Sequence, residues 1–441
     1  MKALTFKGGV HPLHKQHEGK NLSKDAELRV FSPAMVVIPM SQHIGAPCKP
    51  CVAVGDQVLL GQLIGEPCGF VSSPIHASVS GKVIAVEPRP HLNGSKVMSV
   101  VIENDGRDEL DPSVKPKGTL DSLSQEELKK VILEAGIVGM GGAAFPAHVK
   151  YAIKPEQKVD YLILNGAECE PFLTSDHRMM LEQSEKIALG AAILKKASGA
   201  PVCIIGIENN KPDAIASMKE AIMGYDGLSV AELQTKYPQG GEKQLIKAVT
   251  GREVPRGGLP IAAGCIVSNV STAAAMADAV TSGMPLVRRS VTVTGSVKEP
   301  SNFIAPVGTR YSDLFEACGG FDGEPAKIIS GGPMMGLSVA DPDIPMTKGT
   351  SGITVFSEQV YKPVLESNCI RCARCVEACP VGLEPYILDA AALRSNVDVL
   401  QAKDAMSCIN CGCCTYVCPA KRNLAQSIAL GKKILTKATK N

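Results

Sequence analysis

The sequence predicts a multidomain α/β protein that ends in a helix-rich, metal-binding module. Three observations carry this reading. Residues 35–103 alternate short β-branched runs with glycine turns. Residues 120–285 alternate amphipathic helices with short apolar strands. Between 369 and 418 lie two cysteine runs with the same internal spacing.

Composition narrows the function classes. A formal net charge of +2 on 441 residues gives no reason to expect nucleic acid or an anionic membrane surface. Tryptophan is absent and aromatic residues make up 4%, so the cores must be built from small and branched aliphatics. No run approaches the ~18–20 apolar residues that span a bilayer. The segments around 187–207 and 265–280 are interrupted by Lys195, Lys196, Pro201, Asn269 and Asp278. The opening MKALTFKGGVHPLH lacks the apolar stretch of a signal peptide. The expectation is a soluble, cytosolic chain in which dense cysteine means metal rather than disulfide, and which can still dock on a membrane complex.

In the N-terminal part, AMVVIPM, VGDQVLLGQLIG, VSSPIHASVSGKVIAVEP and KVMSVVIEN read as strands joined by turns. The pattern G-D-x-V-x-x-G-Q followed by A-x-x-x-G-K-V resembles the barrel-sandwich fold of biotinyl and lipoyl carriers. A carrier needs a lysine at the hairpin tip, but none lies between Lys49 and Lys82, where the tip region reads EPCGFVSSP. The fold is expected and the carrier function is not, which leaves a docking or scaffold role. Cys48-Lys-Pro-Cys51 precedes a β-and-turn pattern rather than opening a helix, so it is read as two small structural residues. Cys68, Cys169, Cys203, Cys265 and Cys318 are expected to be buried, with Cys169 the one that could line a site.

The middle of the chain predicts strands at 159–165, 200–209 and 227–235 between helical stretches, hence a parallel sheet covered on both faces. Ligands in such sheets bind beyond the carboxyl ends of the strands. Four segments could line one crevice: GIVGMGGAAFPAHVKY at 136–151, NGAECEP at 165–171, YPQGGE at 237–242 and SNVST at 268–272. The first reads almost as a dinucleotide fingerprint but fails its context. SQEELKKVILEA before it is helical, with Ser124 and Glu127 forming a capping box, whereas the fingerprint must follow a strand. Each segment alone could be no more than turn glycines and helix caps. Ser268, Asn269 and Thr272 are placed at a helix start.

Near the C-terminus, CIRCARCVEACP and CINCGCCTYVCP both read C-x2-C-x2-C-x3-C-P, the spacing of two-cluster ferredoxins. That spacing assigns Cys369, Cys372, Cys375 and Cys418 to one [4Fe–4S] cluster, and Cys408, Cys411, Cys414 and Cys379 to the other. Cys414 rather than its neighbour Cys413 restores both gaps. The residues between the runs are helical.

The four middle segments, in order and spacing, resemble the FMN- and NADH-binding subunit of respiratory complex I. That resemblance implies a Rossmann-like flavin fold with Gly139, Gly141, Gly142, Lys150, Asn165, Glu168, Tyr237, Gly240, Gly241, Glu242 and Asn269 around FMN. It also implies Glu168 and Glu170 at the nicotinamide pocket as the catalytic pair. Met140 stands where that family has arginine; Ala144, Ala167, Gly241 and Ser268 replace its glycine, aspartate, glutamate and asparagine. The whole chain, from TFKGGVHP to the paired cysteine runs, resembles the RnfC family, the C subunits of the Rnf electron-transport complex.

The implied architecture is an arm with a barrel-sandwich module (1–112), a Rossmann-like FMN/NADH domain (113–286), a soluble-ligand-binding β-grasp domain (287–350) and a helix-rich two-cluster ferredoxin domain (351–441). The implied cofactors are two [4Fe–4S] clusters, non-covalent FMN and NAD(H). The implied activity is an NADH-linked oxidoreductase subunit of an ion-translocating ferredoxin:NAD+ oxidoreductase. Its implied partners are integral-membrane and ferredoxin-like subunits, and indirectly ferredoxin, with the chain held peripherally on the cytoplasmic side of the membrane. Two other readings stay open on sequence grounds: a flavin-containing cobalamin reductase of a microcompartment, and an electron-wiring scaffold without nucleotide.

Overall fold

The computed structural model describes residues 3–439. Strands Met35–Pro39, Gln57–Val58, Gly81–Pro90 and Lys96–Asn104 form an antiparallel four-stranded sheet. Lys49–Pro50, Leu63–Glu66 and Ile75–His76 form a three-stranded one. Alternate β-branched side chains from both sheets, among them Ile38, Ile64, Val83, Val100 and Ile102, fill one core. This is the sandwich that the alternating pattern implies.

The next domain has a parallel four-stranded sheet, in the order Leu228–Leu233, Val202–Glu208, Tyr161–Gly166, Cys265–Asn269. Cys265–Asn269 is a fourth strand where the sequence marks only a helix start; both are true, because the strand runs directly into helix Val270–Thr281. The strand order reverses between Tyr161–Gly166 and Cys265–Asn269, which puts a switch-point crevice at the ends of these two strands. Helix Gln125–Glu134 begins at Ser124 with the expected reciprocal capping box, and it buries Leu128, Val131 and Ile132.

A mixed six-stranded sheet follows, ordered Leu28–Val30, Ser301–Pro306, Arg288–Gly295, Gly352–Ser357, Pro325–Ser330, Leu337–Val339. Helix Tyr311–Ala317 contributes Tyr311, Leu314 and Phe315 to its core. This corrects the expected division at 350/351, because Gly352–Ser357 is an interior strand of this sheet, paired with Arg288–Gly295 and Pro325–Ser330. Its continuous run GITVFS is what a strand buried on both faces looks like. Likewise Leu28–Val30 pairs in parallel with Ser301–Pro306, so the N-terminal arm belongs partly to the β-grasp domain.

Beyond residue 362 the chain is helical: Arg374–Glu377, Pro385–Leu393, Val397–Ala402, Cys413–Tyr416 and Leu424–Ala438. Leu388, Ala392, Leu400, Ile428 and Leu435 join Pro385–Leu393, Val397–Ala402 and Leu424–Ala438 into one core. Among the described residues no helix is long and apolar enough to cross a membrane.

Candidate functional site

The two asparagines at the switch point are register partners: Asn165 lies opposite Asn269, which closes its strand. Asn165 Nδ2 donates to the Gly240 carbonyl (2.9 Å), tying NGAECEP to YPQGGE. Asn269 caps helix Val270–Thr281 through its side chain, which accepts from the Ser271 N–H. Its Nδ2 donates to Asp176 Oδ2 at 2.7 Å and to the Asn165 carbonyl at 3.3 Å.

The glycine loop lies across this crevice. The Met140 N–H donates to Thr272 Oγ1 (2.9 Å), while the Met140 side chain is buried in the domain core. Gly142 has φ +106°, and nothing lies within 4 Å of where its Cβ would be, so this position favours glycine for its backbone alone and faces open space. Lys150 Nζ reaches the Val267 carbonyl (3.0 Å) and Glu242 Oε1 (3.2 Å), which spans the first turn of helix Glu242–Thr250 just after Gly241. An ammonium, free helix N–H groups and an open glycine backbone suit a phosphate. The segments named for FMN therefore converge on one crevice, and their donor chemistry fits that cofactor. Gln239, in the same YPQGGE loop, is fully buried, and neither its Oε1 nor its Nε2 has a partner among the described residues.

Glu168 and Glu170 sit on one loop but face different neighbours. Glu168 accepts from the Asp176 and His177 N–H groups (2.7 and 3.2 Å) and so caps helix Ser175–Glu182. Burial raises its pKa, opposed by the nearby Lys20 ammonium. Glu170 accepts from the Met334 and Met335 N–H groups (3.0 and 2.9 Å), clasping the GGPMMG loop of the β-grasp domain. Burial pushes its carboxyl up to about 7.

Two lysines to which no sequence motif points hold this loop from behind. Lys20 Nζ donates to the carbonyls of Glu168, Glu170 and Leu173, and Lys211 Nζ to that of Ala167. Both are almost fully buried, and no spacing in the sequence connects them to their acceptors.

The cysteines of the two runs differ in setting. Cys369, Cys372, Cys375 and Cys418 line one opening together with Ile370, Tyr386 and Arg422, and Cys369 and Cys372 are exposed. On the inner side Cys411 lies against the flavin domain, with Cys379, Cys408 and Cys414 near it. There Tyr237 Oη donates to the Cys411 carbonyl (2.8 Å) and lies 3.4 Å from Glu170 Oε1. Cys413, the extra thiol, is fully buried and points at the Tyr237 carbonyl (3.9 Å). Burial pushes the Cys414 thiol up to about 12; a bound metal would hold it as the thiolate. Among the described residues no three His, Cys, Asp or Glu converge tightly enough for a single ion. Sulfurs gripping the corners of a cube stand wider apart than sulfurs gripping one zinc.

The opening TFKGGVHP explains itself here. A Cβ on Gly8 would lie 2.8 Å from the Cys379 carbonyl oxygen, and one on Gly9 2.5 Å from that of Tyr237. The arm is threaded between the inner cluster loop and YPQGGE, where only glycine fits.

Of the remaining cysteines, Cys48, Cys203, Cys265 and Cys318 are buried as expected. Cys68 is instead exposed, because the barrel tip that carries it stands at the surface. Cys169 is half-buried, and its sulfur accepts the Gly240 N–H at 3.2 Å.

Comparison with known families agrees with this layout. Residues 4–107 match the RnfC barrel-sandwich hybrid domain, 132–278 the Nuo51 FMN-binding domain, 290–338 the SLBB domain and 362–419 the 4Fe–4S dicluster domain. The fold is similar to that of a chain in the crystal structure of an NAD+-reducing [NiFe]-hydrogenase. That match has a TM-score of 0.52 at 17% identity, over 72% of this chain and 64% of that one. Fold and site thus define an iron–sulfur flavoprotein of the complex I flavin-subunit type.

Relatives make the family specific. Over 98% of its length the chain is 51% identical to the C subunit of the Na+-translocating ferredoxin:NAD+ oxidoreductase complex of Acetobacterium woodii, covering 97% of that protein. It is 48% identical to the proton-translocating counterpart of Clostridium ljungdahlii, over 87% of this chain and 83% of that one. It is 40% identical to the C subunit of the ion-translocating oxidoreductase complex of Rhodobacter capsulatus, over 88% and 75%. The chain belongs to the RnfC family, the C subunits of the ion-translocating Rnf oxidoreductases.

Proposed function

We propose that this chain is the NAD(H)-reactive flavo-iron–sulfur subunit of an ion-translocating ferredoxin:NAD+ oxidoreductase. The observation that carries the reading is the single crevice at the Asn165–Asn269 switch point, backed directly by the inner cysteine quartet through Tyr237. When bound, FMN exchanges hydride with the nicotinamide and passes electrons singly, and the [4Fe–4S] clusters relay them.

The protein's own contribution is placement. The glycine loop, Lys150 and the helix after Gly241 bind the phosphate end. Asn165, Gly240 and Asn269 shape the bottom of the crevice. Glu168 and Glu170 border the nicotinamide and position its loop rather than moving protons. Cys379, Cys408, Cys411 and Cys414 hold the cluster next to the flavin; Cys369, Cys372, Cys375 and Cys418 hold the outer one, where the exposed cysteines give access to a partner. Membrane-embedded and ferredoxin-like subunits of the same complex are the partners that fit, on the cytoplasmic side. Relatives matched along most of their own length are named as C subunits of ion-translocating oxidoreductase complexes, which favours this reading over a microcompartment cobalamin reductase.

The test is anaerobic purification, assay of FMN and iron, and addition of NADH. Bleaching of the flavin followed by cluster reduction is expected. Absence of FMN, or flavin that NADH leaves oxidised, refutes the reading.

A further inference from the structure

Arg289 is the second residue of the Arg288–Gly295 strand in the β-grasp sheet, yet its side chain crosses into the flavin domain. It is 1% exposed. Nη2 donates to the Met140 carbonyl at 2.5 Å and Nε to the Thr350 carbonyl at 2.8 Å. Nη1 is buried and has no hydrogen-bond partner among the described residues. Burial lowers its pKa to about 10, with Asp176 and Glu168 the nearest opposing charges. Neither acid spends an oxygen on it. Asp176 accepts from Asn269 and Ser271, and Glu168 from the Asp176 and His177 N–H groups.

A buried guanidinium with an idle donor is costly, and since neither carboxylate bonds to it, Nη1 is left free for a further acceptor. The loop it holds is the one that opens toward the crevice. Met140 is fixed from both sides, by Thr272 at its N–H and by Arg289 at its carbonyl, while Gly142, two residues on, faces open space. The neighbouring turn of the β-grasp domain packs on the same loop, since a Cβ on Gly349 would lie 2.8 Å from that of Ala144.

We propose that Arg289 is a positioning residue for the phosphate monoester of the flavin. Reaching over from the adjacent domain, it fixes the Met140 peptide and adds to Lys150 a second positive charge beside a loop that carries methionine at position 140. The inference rests on the flavin reading above and assigns it a determinant outside the flavin domain.

Riboflavin, which has the same ring system but no phosphate, separates this role from a general structural one. The full-length chain, stripped of flavin, is titrated with FMN and with riboflavin by fluorescence. Wild type, Arg289→Gln and Arg289→Lys are compared, with iron content and circular dichroism reporting the fold. Arg289→Gln is expected to weaken FMN by about 10- to 100-fold, the range of a hydrogen bond to a charged group, and to leave riboflavin nearly unchanged. Arg289→Lys, which keeps the charge, is expected to retain most of the preference for FMN. Equal weakening of both flavins, unchanged FMN binding in Arg289→Gln, or a lysine variant as impaired as the glutamine one would overturn the proposal. A wild-type chain that binds neither flavin would instead remove the flavin reading on which it stands.

Discussion

Lys20→Met is the sharpest perturbation of the loop that carries Glu168 and Glu170. Methionine keeps the length of the buried stem but offers no donor, so the carbonyls of Glu168 (2.8 Å), Glu170 (3.0 Å) and Leu173 (2.6 Å) lose their ammonium. Bonds of this charged kind contribute ~1.5–3 kcal/mol each, about 4–9 kcal/mol gross. Against this stands relief of a buried ammonium, whose pKa is lowered by desolvation and whose burial costs several kcal/mol. The expected net loss is therefore about 2–4 kcal/mol, the usual cost of breaking a buried polar network.

That is smaller than the stability of a typical domain, so the loss shows as local opening rather than unfolding. At 1.4 kcal/mol per factor of ten, amide exchange in 165–173 should accelerate by roughly 30- to 700-fold, while the Gly81–Pro90 strand keeps its protection. Flavin reduction by NADH should fall, and iron content should stay. Unchanged exchange in 165–173, or equal acceleration in all domains, would refute the view that Lys20 acts as a local clasp.

Other expectations follow from single groups. Glu170 has a pKa raised from 4.5 to about 7, so it favours the folded state below pH 4.5, and that contribution is lost as pH rises through 7. Glu170→Gln should therefore gain stability relative to wild type between pH 5 and pH 8, by at most about 3 kcal/mol, in denaturant titrations; a difference independent of pH would sink the assignment. Cys413→Ala should keep about eight irons per chain, whereas Cys414→Ala should lose about half; the reverse pattern would exchange the ligand roles. Gly142→Ala forces a side chain into φ +106°, a strain of ~1–3 kcal/mol, and should loosen flavin without loss of iron. Flavin retention equal to wild type would show that the loop is free to adapt.

The parts of the site that were legible are those whose partners are local. The capping box at Ser124, the strand spacing around Asn165 and the two cysteine runs all act over a few residues, so periodicity and spacing expose them. Lys20, Lys211 and Arg289 are single cations whose acceptors are backbone carbonyls, and a carbonyl leaves no mark in a sequence. The separations run from 44 residues for Lys211 and Ala167 to 153 for Lys20 and Leu173. Gly352–Ser357 was misplaced for a related reason. A short apolar run next to a cysteine-rich module carries no signal of which sheet it completes; that is decided by its pairing with Arg288–Gly295, some sixty residues earlier.

The N-terminal arm shows how these distant contacts act as one device. Leu4 bridges to Leu233 and Val10 to Tyr237, beside the edge strand of the flavin sheet and YPQGGE. The Gly9 N–H donates to the Ala378 carbonyl in the inner cluster loop at 2.9 Å. Lys20 holds the glutamate loop, and Leu28–Val30 adds a strand to the β-grasp sheet. One continuous stretch of chain thus touches the flavin sheet, the inner cluster loop, the glutamate loop and the β-grasp sheet. Electron transfer over such a path depends on fixed separations, and the arm fixes them with hardly any apolar core of its own. Sequence pattern places residues 1–112 in a single N-terminal unit; physically, residues 4–10 belong to the seam between flavin and iron–sulfur domains and Leu28–Val30 to the β-grasp sheet.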